Sequence, residues 1–381
     1  MKKLFSLFLC ITLMSCIHKN KVIISVTNPS PFDRTNEIVE LPFPVINLKM
    51  QGKCFFIADN DGKQIPYQIT YDQKIIFPVH VSANKKTTYR IKEGKPQAYT
   101  PVVYGQRYPK RVDDIAWEND RIAFRTYGPA LQATGEKAYG IDVWVKRVPE
   151  LIVKERYRKE LEEGISYHND NGNGLDYYKV GPTLGAGTPA LLSNDTLVYP
   201  YCYKTYQIVD NGPLRFTVKL TYNPLTIGQN NSIVEQRTIS LDAGNQLNKI
   251  TISYENLEKS LPVAVGIVLH DSGNEYKADQ KNGYIAYADP ADPQNGQTYL
   301  GAVFTAPLQE AKVVLFSEKE KAERGANGHV LGISEYKPGS EFTYYTGAGW
   351  SKWGFETSVD WFEYIQLFCE QIKQPLEIAY E

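Results

Sequence analysis

Sulfur is scarce in this chain, and so is any surplus of charge. Of 381 residues, 3 are Met and 5 are Cys. Cys10 and Cys16 fall at the very start, leaving Cys54, Cys202 and Cys369, an odd and widely spaced set. That excludes a disulfide framework and a zinc ribbon. One pair could bridge in an oxidising compartment, but buried free thiols are the default expectation. Lys and Arg total 42 against 43 Asp and Glu, a net charge of −1 with His neutral. No global basic field for nucleic acid exists. There is no P-loop, dinucleotide fingerprint, Gly-x-Ser-x-Gly elbow or His-Glu-x-x-His motif. Helical periodicity is rare and internal repeats are missing.

The first residues carry an address. Lys2 and Lys3 precede an uncharged apolar run, Leu4 to Met14, followed by Ser15 and Cys16. The run is shorter than the roughly 20 residues a membrane-spanning helix needs. A positive start, a short apolar stretch and a small residue before the cut make a secretory signal. Leu13-Met14-Ser15-Cys16 resembles the lipobox of bacterial lipoproteins, which implies lipidation at Cys16 and stable attachment to a membrane. The expected location is an exported lipoprotein of a Gram-negative-type cell, facing the periplasm or the cell surface. Residues 17–21 are polar and basic with no acidic cluster, so they do not choose the leaflet.

Aromatic residues make up 12% of the chain, with 27 Tyr. Tyr and β-branched residues suit exposed sheets, and phenol rings also stack on sugar faces. Short alternating segments between Gly, Asn and Pro turns run throughout. They predict an all-β protein, a large antiparallel β-sandwich behind a small N-terminal β module. The expected division is residues 1–16 signal and lipobox, 17–100 small module and linker, and 101–381 main sandwich. The best helix is Trp361, Tyr364, Ile365 and Phe368 at i, i+3, i+4 and i+7, capped by Ser358 and ended by Pro375.

The densest polar stretch is Tyr167-His168-Asn169-Asp170-Asn171-Gly172-Asn173-Gly174-Leu175-Asp176-Tyr177-Tyr178. It places an imidazole, carboxylates and phenols together, a set suited to acid/base work. An Asx-turn cluster is the plainer alternative. The start of the stretch mimics an EF-hand loop, but the twelfth position is Val180. A looser divalent-cation site through Asp170 and Asp176 stays open. Arg121 and Arg125 fall on one face around the Ile122 strand start and could meet an acidic ligand or pair nearby carboxylates. Lys137 and Tyr139 flank a strand. His270 ends an apolar strand. Gly347-Ala348-Gly349-Trp350-Ser351-Lys352-Trp353-Gly354 puts two indoles in a glycine loop, either to stack on sugar or to cap the core.

The Trp117 to Leu131 run, Gly140-Ile141-Asp142-Val143-Trp144, Tyr167 to Gly181, Asn211 to Arg215, Ile239 to Gly244 and Gly349-Trp350 occur in order. Together they resemble domain of unknown function family 4861, from about Arg111 to the C-terminus. The strands also look like those of galactose-mutarotase-type sandwiches. Family members are exported beside polysaccharide-degrading enzymes, and one is described as an oligosaccharide dehydratase in ulvan breakdown. The resemblance therefore implies a carbon–oxygen lyase that removes water from a non-reducing-end uronate and leaves a 4,5-unsaturated sugar. Such an elimination needs a base for the C5 proton, stabilisation of enolate-like charge and an acid for the leaving hydroxyl. His168 is suited to the base or acid role near neutral pH, with Tyr177 or Tyr178 as partner and Asp170 orienting it. Arg125, with Arg121 or Lys137, would hold the carboxylate; Tyr139, His270 and Trp350 would line the sugar. A lyase, or a glycoside hydrolase using two of Asp170, Asp176 and Glu118, would fit the same scaffold, as would a non-catalytic glycan-binding lipoprotein.

Overall fold

A computed structural model describes residues 21–271 and 275–381. Cys16 and its lipidation therefore lie outside the described residues. The chain is all-β and antiparallel, with five helices among the described residues.

The N-terminal module holds two small sheets around its own core of Val22, Ile24, Ile57, Ile75, Phe77 and Ile91. Strand Lys21–Thr27 pairs Lys86–Glu93 on one side and the final strand, Glu377–Tyr380, on the other. The end of the chain, counted above with the sandwich, thus returns to complete the module. Helix Phe43–Lys49 is an addition to the expected strands.

The sandwich has one broad layer, a nine-stranded sheet running from Tyr203–Asn211 to Tyr276–Asp279. Facing it are two five-stranded sheets, one built from Tyr104–Tyr108 through Gly174–Leu175, the other centred on Leu261–Leu269. A parallel bridge, Ile141 to Gly185, joins these two sheets. The common core takes one face of each strand: Ile115 and Trp117, Ile122 and Phe124, Val143 and Val145, Ile285 and Tyr287. This is the period-2 rule of a sheet with one buried face.

The outer face of the broad sheet carries helix Ser358–Lys373, which buries Trp361, Ile365 and Cys369. The cap is Thr357 rather than Ser358: its hydroxyl accepts from Asp360 N, and Asp360 Oδ2 accepts from Thr357 N at 2.8 Å. The helix lies so close that a Cβ on Gly349 would meet Trp361 at 2.7 Å. Gly347, Gly349 and Trp350 consequently belong to strand Phe342–Trp350, not to a loop.

Candidate active site

The first five-stranded sheet positions the site. Along its strands the residues opposite the core face are Asp114, Ala116 and Glu118; Ala123 and Arg125; and Asp142, Trp144 and Lys146. All of them are buried. Alternation alone would send this charged face to solvent. Here it is roofed by helix Val153–Glu163 and the 164–178 loop, with Val153, Tyr157 and Tyr167 packed on Ala116, Ala123 and Trp144.

Two arginines and a glutamate hold the roof. Glu118 accepts from Ile152 N at 2.9 Å, from Val153 N at 2.7 Å and from Lys146 Nζ at 2.7 Å. A carboxylate at a helix N-terminus is favourably placed, so Glu118 is a cap, not one of a hydrolytic pair. Arg156, projecting from the helix, donates to the carbonyls of Asn169 at 3.0 Å and of Gly174, and to the Asn173 side chain. Arg147 pairs with Asp170, whose Oδ1 also accepts from Gly172 N and Gly174 N. The Asn-rich stretch is therefore a turn wrapped around two guanidiniums. Asp170 serves that turn and does not orient His168.

Arg125 lies under the roof, 6% exposed. Its Nη2 donates to Asp142 and, at 2.9 Å, to Asp176; its Nη1 is 3.8 Å from Asp114. Tyr127, Trp144 and Tyr167 surround the guanidinium within 5.1–5.8 Å. Both terminal nitrogens are engaged by the protein's own groups, with Nη1 also donating to the Tyr167 hydroxyl at 3.3 Å, while Nε is buried without a partner, so Arg125 is held within the cluster rather than presented to solvent. Burial raises the pKa of all three carboxylates against the pull of Arg125, and Asp114 is pushed up to about 7. Asp114 Oδ1 is buried with no hydrogen-bond partner.

His168 sits at the mouth, its side chain 56% exposed. Its Nδ1 is 2.8 Å from the carbonyl oxygen of Asp176 and 3.7 Å from that residue's Oδ2. A carbonyl only accepts, so Nδ1 carries the proton. Among the described residues Nε2 has no hydrogen-bond partner. The ring packs against Tyr167, 4.4 Å between centroids. Arg111, half-buried, donates to the Tyr167 hydroxyl, stands 5.2 Å from that ring and forms no salt bridge among the described residues. Tyr178 is buried with an unpartnered hydroxyl, its pKa raised well above the usual phenol value by burial and by Asp289. His168 and Tyr178 both lie within electrostatic reach of Asp142.

The other named residues stand elsewhere. Arg121 precedes its strand and lies 3.6 Å from Asp120 and 6.0 Å from the Trp353 ring, away from Arg125. Lys137 is exposed, and Tyr139 packs on Tyr199 and Tyr201. Tyr177 accepts from Thr298 Oγ1 at 2.8 Å. Trp350 is 1% exposed and donates to the Asn295 carbonyl at 2.7 Å, so it offers no stacking face. His270 bonds Asp289 Oδ1 and the Lys179 carbonyl, both at 2.7 Å. Two acceptors require two ring N–H groups, and its pKa is raised: burial opposes the charge, and Asp289 with the Lys179 carbonyl outweighs it. It fixes the Tyr178 loop instead of meeting substrate. Asp176 and Asp170 answer to different arginines, and among the described residues no three His, Cys, Asp or Glu side chains converge as metal ligands would. Asp114, Arg111 and Tyr127 escaped notice as site groups because none lies in the polar stretch.

The chain is 28% identical to "Uncharacterized protein P7" of Formosa agariphila over 380 residues, covering 94% of this chain and 93% of that one. Among solved structures it resembles a protein in the Glycosyl Hydrolase Family 38 from Enterococcus faecalis, with TM-score 0.51, 10% identity and 95% of this chain covered. An alpha-mannosidase from Enterococcus faecalis V583 matches with TM-score 0.50 and the same 10% identity and 95% coverage. This chain spans 47% and 46% of those two structures, about half their length, and the likeness is one of fold. The family model described as Domain of unknown function (DUF4861) matches residues 26–378, and the chain belongs to that family.

Proposed function

We propose that this is a carbohydrate-active enzyme that dehydrates a non-reducing-end uronate of an oligosaccharide by β-elimination. The observation that carries the reading is the His168 ring: Nδ1–H is fixed on the Asp176 carbonyl, and Nε2 of this exposed side chain has no hydrogen-bond partner among the described residues. That is the arrangement a general base requires. His168 Nε2 takes the C5 proton of the uronate. The C5–H electrons form the C4–C5 double bond, the C4–O bond breaks, and the departing hydroxyl takes a proton from solvent to leave as water; the Tyr178 hydroxyl is buried and does not reach the sugar. Arg111, the half-buried guanidinium without a salt bridge, binds the uronate carboxylate and spreads the enolate-like charge. The new imidazolium stands 3.7 Å from Asp176 Oδ2, above a cluster with more carboxylates than Arg125 alone can balance. Membership of a family whose members sit beside polysaccharide-degrading enzymes supports a carbohydrate substrate, as does a fold shared with glycosidase domains.

The test incubates the protein with uronate-ended oligosaccharides and follows ultraviolet absorbance of the conjugated product together with its mass. Loss of one water per chain is expected. Scission into shorter chains would make it a lyase, and products without unsaturation a hydrolase. No change in any uronide would remove the reading.

A further inference from the structure

A cavity of about 430 Å³ lies in the seam between the N-terminal module, the broad sheet and helix Ser358–Lys373. None of His168, Asp176, Tyr178 or Arg111 lines it. Its volume falls within the roughly 300–1,000 Å³ of small-ligand sites. One side is aromatic: Tyr345 and Phe368 meet edge to face at 5.2 Å, and Tyr364 stands 6.2 Å from Phe368. The other side is polar and charged. Arg215 grips Asp242 with bonds of 2.5 and 2.8 Å and reaches Glu40 at 2.7 Å. Arg34 pairs with Glu37, while the Lys249 ammonium and the Asn245 side-chain amide make no hydrogen bond among the described residues.

The charge balance selects the ligand. Three cations, Arg34, Arg215 and Lys249, face three carboxylates, Glu37, Glu40 and Asp242, and Glu40 is also held by Lys74 at 2.6 Å, which in turn meets Asp72. An ionic ligand held by Arg34 or Arg215 would have to break one of their pairs, leaving a buried charge behind, and Lys249, the unpaired cation, is exposed, where an ion pair is worth little. A neutral polyol breaks none. Its hydroxyls can donate to the remaining carboxylate lone pairs and accept from Lys249 and Asn245, while its C–H face rests on the rings. We propose that this seam is a second, non-catalytic binding site for a neutral pyranose of a glycan chain. It is independent of the elimination chemistry proposed for the His168 site.

Isothermal titration of the full chain with cellohexaose, mannohexaose and xylohexaose tests this. At least one should bind with Kd of about 5 mM or tighter, a weak association on the free-energy scale. Asn245→Trp, which fills the mouth from a half-exposed position, should weaken that binding at least tenfold. Tyr345→Ala, which removes a ring, and Lys249→Ala, an exposed change, should each weaken it too. Thermal midpoints identify which variants are folded. His168→Ala should bind the neutral chain as the parent does, which separates this site from the proposed active site. Failure of all three sugars to bind, or unchanged affinity in the folded variants, would overturn the proposal.

Discussion

Within the broad sheet, Glu235 and Arg237 project from one strand, both essentially inaccessible, and pair one to one at 2.5 Å. Tyr254 donates to Glu235 at 3.3 Å and the Tyr222 ring lies 4.5 Å beneath the guanidinium. Beneath helix Val153–Glu163, by contrast, Asp114, Asp142 and Asp176 crowd Arg125. The first cluster is neutral and sealed. The second sets three carboxylates, each with its pKa raised by burial, against one buried guanidinium, beside the exposed His168 and the half-buried Arg111. Burying a charge costs several kcal/mol unless it is matched, so a mismatch that persists marks a place where folding is not the only demand. Perturbed carboxylates collect at functional sites for that reason.

The contrast can be broken most forcefully at the two arginines. Arg125→Met and Arg237→Met should each destabilise by about 3–5 kcal/mol, the usual result of stranding buried carboxylates. Adding Glu235→Leu to Arg237→Met should restore most of the loss. Adding Asp142→Asn to Arg125→Met should restore only a part, because two carboxylates stay unmatched. Chemical denaturation measures all four proteins, and equal rescue in both clusters would erase the distinction.

At the open mouth the expected effect is kinetic. His168→Ala should lower turnover of a uronate-ended oligosaccharide by about 10²-fold or more, while the thermal midpoint stays near that of the parent. Near-normal initial rates would take the histidine out of the mechanism. Arg111→Gln should act more mildly, raising KM for the acidic sugar about tenfold, the scale of one charge-assisted hydrogen bond. Its discrimination against esterified uronides should shrink. A fall in turnover with KM unchanged would assign Arg111 another role.

The smallest effect concerns pH. Asp114 is raised to about 7 by burial, so the folded state holds its proton more tightly than the unfolded chain does. That contribution is complete below the ordinary carboxylate range and is lost as pH rises through about 7. Asp114→Asn should therefore flatten the decline in thermal midpoint between pH 5 and 8, by a few degrees. An unchanged slope would mean that the burial of Asp114 is compensated elsewhere.

Much of the fold was legible because its strands alternate: Val22, Ile24 and Val26 in the N-terminal module, or Phe216, Val218 and Leu220 in the sandwich, declare a buried face directly. Alternation failed at the site itself. Asp142 and Lys146 read as solvent-facing, and the helix that covers them contributes Arg156 with Val153 and Tyr157 to the interior instead of an apolar stripe. Nothing periodic announces such a roof. His168 was visible through its polar surroundings, but its partner was not. Asp170, two residues away, turns toward Arg147, while the chain doubles back to bring Asp176 against the ring. Likewise Gly347 and Gly349 looked like loop residues because the helix that excludes a Cβ there lies beyond them in sequence.

Strand Glu377–Tyr380 is synthesised long after its partner Lys21–Thr27. During synthesis the edge of the first strand has no final neighbour, and unpaired edges invite wrong partners. Pairing Ile24 with Tyr380 also closes a loop around the whole sandwich. The smaller module thus cannot be finished before the larger one has been made. A protease cutting near residue 97 would not release it, since it would stay stitched to the far end of the polymer.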